Sequence, residues 1–111
     1  MTDVLTTLEK ARALVEKGWH KGSMGQDSYG ARVGFRDPTC CSWCAMGAIH
    51  TALESPYDVN PEADKIVDDY IKPYMTGNSF EYLENYNDDS GTTKQDILYL
   101  FDRAIEGLKN E

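Results

Sequence analysis

No apolar run in this 111-residue chain approaches the roughly 20 residues that a helix needs to cross a bilayer, so no membrane-spanning role is expected. Positive charge is scarce. Eleven Lys and Arg stand against nineteen Asp and Glu, a formal net charge of −8 and a pI near 4.6. The basic stripe on which direct nucleic-acid binding relies is therefore missing. Cysteines are few and crowded: Cys40, Cys41 and Cys44 form an odd-numbered group within five residues, which argues against a disulfide framework and for reduced thiols. The opening Met1-Thr2-Asp3-Val4 has neither a charged leader nor an apolar stretch behind it, so a cytoplasmic protein is the expectation. Internal repeats, linkers and low-complexity stretches are also missing.

What is present is enough for a packed core. Hydrophobic residues make up 41% of the chain and aromatics 11%, and the length suits one domain spanning residues 1–111. The charge is uneven. Residues 1–53 carry six basic and five acidic side chains, whereas residues 54–111 carry five basic and fourteen acidic, a net of −9. Such a field attracts basic surfaces and repels nucleic acid and anionic lipid. The same half holds Tyr57, Tyr70, Tyr74, Tyr82, Tyr86 and Tyr99, a residue type that protein interfaces favour.

Hydrophobic spacing predicts a helix over residues 2–17, capped by Thr2 or Asp3, with Val4, Leu8, Ala11, Leu14 and Val15 on its buried stripe and Gly18 as a left-handed stop. Between Trp19 and Arg36, Gly22, Gly25, Gly30 and Gly34 break any helix. Asp27-Ser28-Tyr29-Gly30 reads there as the turn of a small β-hairpin whose arms hold Met24, Val33 and Phe35. Asp37-Pro38-Thr39 is expected to open a second helix that runs to about Glu54. Its apolar residues, from Cys41 to Leu53, place it at the centre of the domain. Cys44, Ala45, Ala48 and Ala52 give that helix a small-residue face, and Gly47 predicts a close approach by another backbone. Asn60-Pro61-Glu62 begins a third helix that Pro73 ends. A short helix is expected within Thr76 to Asn85, anchored by Phe80 and Leu83, and a loop over 87–91. Thr92 or Thr93 caps a last helix with a stripe from Ile97 to Leu108. The fold class expected is α+β, mostly helical: four to five helices round the central apolar helix, plus one small β-hairpin.

Several residue groups invite chemistry. Cys41 and Cys44 have a zinc-ligand spacing, but no second pair exists and His50 falls on another side of the helix, so neither a metal site nor a cofactor is expected. Cys44 near a helix N-terminus is a candidate nucleophile, with His20 or His50 as base and Asn87 or Asp88 to orient it. A thiol in an apolar, small-residue helix, however, is ordinarily an inert space-filler. Lys21-Gly22-Ser23-Met24-Gly25 only superficially suggests a phosphate cradle. Asp68-Asp69 and Asp88-Asp89 lack the ligand alternation of a calcium loop.

In chain order the features run Trp19-x-x-Gly22, Asp27-x-x-Gly30-x-x-Val33, Trp43-Cys44-x-x-Gly47-Ala48-Ile49, then Asn87-Asp88 ahead of an amphipathic helix. This pattern resembles a family of small uncharacterised proteins of bacteria and their phages, a domain of unknown function, from the first helix to about Ala104. Members often carry Trp where this chain has Tyr86, and Gln where it has Lys21. The resemblance implies a bacterial or phage setting and a shared cluster of Trp19, Asp27, Trp43, Cys44, Asn87 and Asp88, shaped by Gly22, Gly30 and Gly47. The function expected is a non-enzymatic interaction module whose acidic half binds a basic protein partner. The alternative is a small-molecule binder or enzyme using that cluster as its site.

Overall fold

The computed structural model describes residues 3–54, 60–75 and 82–110. The first helix, α1, spans Val4–Lys17. The Asp3 carboxylate caps it, accepting from the Leu5 N–H at 3.3 Å and the Thr6 hydroxyl at 2.8 Å. Thr7, Leu8, Ala11 and Val15 are its buried stripe. Gly18 is not the expected left-handed stop: its φ of −169° is extended backbone. A side chain is excluded there by space, because a Cβ would strike the Cys41 carbonyl oxygen.

The β element joins segments further apart than the expected hairpin. Asp27 does hold a turn, its carboxylate accepting from Tyr29 and Ala31 N–H groups, both at 2.9 Å. Gly30 there has φ +82°, a conformation that favours glycine. The returning arm, however, makes an isolated bridge between Gln26 and Arg32, through bonds from the Val33 N–H to the Gly25 carbonyl and from the Asp27 N–H to the Ala31 carbonyl. The two-stranded antiparallel sheet pairs β1 (Gly25–Gln26) with β2 (Ser42–Trp43), Gly25 opposite Trp43 and Gln26 opposite Ser42.

That pairing delays the central helix. Asp37 caps a turn rather than a helix, accepting from the Thr39 N–H at 2.8 Å and the Thr39 hydroxyl at 2.6 Å. The chain then extends through β2, and α2 runs over Ala45–Leu53 with Cys44 as its N-cap. All of α2 except Thr51 is buried. The close approach predicted at Gly47 is made by Met24, whose carbonyl oxygen occupies the space a Cβ would need.

The third helix, α3 (Pro61–Ile66), is capped by Asn60 and passes into a π-helical turn over Val67–Ile71 and a 3-10 turn over Lys72–Tyr74, so the helical path continues one residue past Pro73, which stands at the start of that last turn. Next comes α4 (Leu83–Asp88), so Asn87 and Asp88 end a helix instead of opening a loop. The expected anchor Phe80 and Tyr57 lie outside the described residues. The last helix, α5 (Lys94–Lys109), opens with a capping box: the Asp96 N–H donates to the Thr93 hydroxyl while the Thr93 N–H donates to the Asp96 carboxylate.

The structure is thus mostly helical α+β, with α2 against α1, α3, α4 and β2. α5 docks instead on α1, where Lys94 donates to the Glu16 carbonyl and Arg12 pairs with Asp102. No helix among the described residues is long and apolar enough to cross a membrane.

Candidate functional site

Three stretches of chain converge on the side chain of Asn87, which is fully buried at the end of α4. Its carbonyl oxygen accepts from the Trp19 indole N–H at 2.7 Å and from the Ala45 N–H, the first of α2, at 2.9 Å. Its amide donates to the His20 carbonyl at 3.2 Å and to Asp88 at 3.0 Å. Two acceptances and two donations are all that a carboxamide offers. Asp88 extends the junction by accepting from the Gly22 N–H at 3.0 Å. One side chain thereby fastens the segment after α1, the start of α2 and the end of α4.

The cluster expected from the motifs is therefore brought together only in part. Trp19, Asn87 and Asp88 meet directly, and Cys44 stands next to them as the residue preceding Ala45. Trp43 is paired with Trp19 by a parallel backbone bridge and is buried, its indole N–H donating away from the junction to the Phe35 carbonyl at 3.4 Å. Asp27 stays with its own turn.

Cys44 is held as a thiol. Burial raises its pKa, and the fields of Asp88 and Glu84 add to that, against N–H groups of Gly47 and Met46 that act the other way. Desolvation thus outweighs the helix N-terminus that was expected to activate it. The two candidate bases have other partners. His20 lies 2.7 Å from the Ser42 hydroxyl through Nδ1 and 3.0 Å from the Ser23 hydroxyl through Nε2. His50 packs on Phe35 with ring centroids 5.4 Å apart, and its buried Nδ1 has no hydrogen-bond partner. Burial lowers the pKa of both imidazoles. Among the described residues no group of three or more His, Cys, Asp or Glu is placed to hold a metal.

The glycine-rich segment is no phosphate cradle. The Gly22 N–H is given to Asp88, and the Lys21 ammonium to the Asp89 carbonyl at 2.5 Å, 5.8 Å from the centre of the Trp19 ring.

Sequence reasoning missed an acidic recess of about 310 Å³ between α2, the π-helical turn and α4. Its buried surface is Met46, Val67 and Leu83, surrounded by Asp64, Asp68 and Glu84, with Tyr82 55% exposed beside it. Lys72 already lies in the recess, 3.0 Å from the Asp68 carboxylate and 5.8 Å from the centre of the Tyr82 ring. The available signal was the i, i+4 spacing of Asp64, Asp68 and Lys72, but the partnership with Glu84 is tertiary. A π-helical turn also leaves no sequence trace that periodicity alone would find, although such turns recur at functional sites.

Fold and junction define the class: a small, mostly helical α+β protein whose central helix is tied at its start by a buried carboxamide. The chain belongs to the family of unknown function DUF6197, whose model matches residues 1–107. A family of unknown function is what the resemblance implied. No curated protein and no solved structure matches the chain.

Proposed function

We propose that this protein is an interaction module that receives a basic partner surface on its acidic, tyrosine-bearing C-terminal half. The observation that carries the reading is the recess, where Asp64 and Glu84 face an apolar floor beside the exposed Tyr82 ring. A lysine or arginine side chain needs such surroundings: apolar surface for its stem, carboxylates and an aromatic face for its head. Lys72 over Tyr82, and Arg103 at 5.6 Å from the Tyr74 ring centre and 5.9 Å from that of Tyr99, already show that chemistry within the chain. The net charge of −9 over residues 54–111 steers such a partner toward this half. In the bacterial or phage cytoplasm implied by the resemblance, a basic host protein or nucleic-acid-binding machine is the natural partner. The Trp19, Asn87 and Asp88 cluster supports a small-molecule or catalytic reading less well, because Asn87 spends all of its polar capacity inside the protein.

The test is titration of a lysine- and arginine-rich peptide at low and high ionic strength, with the wild-type chain and the double variant Asp64→Asn, Glu84→Gln. The expected result is affinity that falls with salt, and falls about tenfold in the double variant while the Tm is unchanged. Affinity indifferent to salt, or equal in the double variant, would overturn the reading.

A further inference from the structure

A second cavity, of about 530 Å³, opens between residues 22–24 and 32–35, and shares no lining residue with the acidic recess. We propose that it binds a small amphipathic anion, one that joins a carboxylate or sulfonate head to an apolar body. The volume lies in the range that accommodates small-molecule ligands. The lining divides in the way such a ligand requires: Met24, Val33 and Phe35 supply apolar surface, and Arg32 supplies the donors. Arg32 is exposed and makes no ion pair among the described residues, an unengaged guanidinium in a chain of net charge −8. A planar donor fork of this kind selects oxyanions. The Ser23 hydroxyl gives its proton to the Gly25 carbonyl at 3.1 Å, so recognition of the head falls to Arg32.

The glycines separate what the fold requires from what it leaves open. At Gly18, Gly25 and Gly47 an added Cβ would meet backbone, and Gly22 has φ +96°. Gly34 has neither constraint. Its backbone lies outside the left-handed region and a Cβ there would meet nothing within 4 Å, yet it lines the cavity. Folding does not call for glycine at this position, whereas an open cavity does.

The experiment uses two fluorescent probes that differ only in the anionic group: 8-anilinonaphthalene-1-sulfonate and its neutral counterpart N-phenyl-1-naphthylamine. The wild-type chain is expected to bind the sulfonate saturably at one per chain, about tenfold more tightly than the neutral probe. Gly34→Leu fills the cavity and should abolish binding of both at unchanged Tm. Arg32→Gln, on an exposed side chain that the fold does not use, should weaken the sulfonate about tenfold and leave the neutral probe unaffected. Should Gly34→Leu fail to fold, Arg32→Gln decides alone. The proposal is overturned if the wild-type chain binds neither probe saturably, binds both alike, or keeps its preference for the sulfonate in Arg32→Gln. It is equally overturned if folded Gly34→Leu binds as the wild type does.

Discussion

Ala45 and Met46 are neighbours at the start of α2, yet they belong to two regions of opposite character. Ala45 gives its N–H to Asn87, in a junction where every polar group of that side chain is paired and water is excluded. Met46 helps to line the recess, where Asp64 and Glu84 stand with no hydrogen-bond partner among the described residues. A buried group that is fully satisfied stabilises and orients but has nothing left for a ligand. A half-exposed carboxylate beside an aromatic ring contributes little to folding and is available to a partner. On the proposed reading the first region serves architecture and the second receives the partner, although α4 builds both.

The sharpest way to break that comparison is Asn87→Ala. The substitution leaves the Ala45 and Trp19 donors buried without acceptors, and a loss of about 3–5 kcal/mol is expected in urea unfolding. The recess variant Asp64→Asn, Glu84→Gln should stay within about 0.5 kcal/mol of wild type. A mild effect at Asn87, or a severe one in the recess, would reverse the assignment.

Gly47→Ala comes next. Within a helix Ala is favoured over Gly by about 1 kcal/mol, but here its methyl must displace the Met24 carbonyl. The balance predicts a net loss of about 1–3 kcal/mol, read from the same unfolding midpoint. A gain in stability would show that the loop carrying Met24 yields, and that the junction is less rigid than its bonding implies.

A smaller effect concerns pH. The fold holds His50 and His20 in their neutral forms by burial, so the unfolded chain takes up protons first as pH falls. Stability is complete above the ordinary imidazole range and declines as pH drops below about 6.5. His50→Leu should make that decline shallower in urea midpoints measured on either side of the range. An unchanged slope would locate the proton-linked loss elsewhere.

The thiols sharpen the comparison without altering stability. Cys41 is exposed and should react at once with a thiol reagent, whereas Cys44 should react only on unfolding. Rapid labelling of Cys44 in the folded chain, detected by peptide mass, would reopen the nucleophile reading.

Legibility in the sequence followed the locality of the interactions. The starts of α1, α3 and α5 could be read because Asp3, Asn60-Pro61 and Thr93 with Asp96 each make their capping contacts within a few residues. The start of α2 could not. Asp37 suits a turn as well as a helix cap, and only the pairing of Ser42 and Trp43 with Gln26 and Gly25 decides between them. The same limit applies to the site. Trp19, Asn87 and Asp88 stood out in the motif pattern, but that Asn87 accepts from Ala45, 42 positions away, is a tertiary fact. The recess combines α2, α3, the turns after it and α4, so no single segment announced it.

As proposed, the recess recognises a basic partner and the junction supports the fold. Backbone and side-chain amide NMR during titration with a lysine- and arginine-rich peptide tests it most directly, because both regions report in one spectrum. Progressive shifts are expected at Met46, Asp64, Asp68, Leu83 and Glu84, with the Trp19 indole and the Asn87 carboxamide unmoved. Shifts concentrated on that indole and carboxamide, with the recess silent, would contradict it.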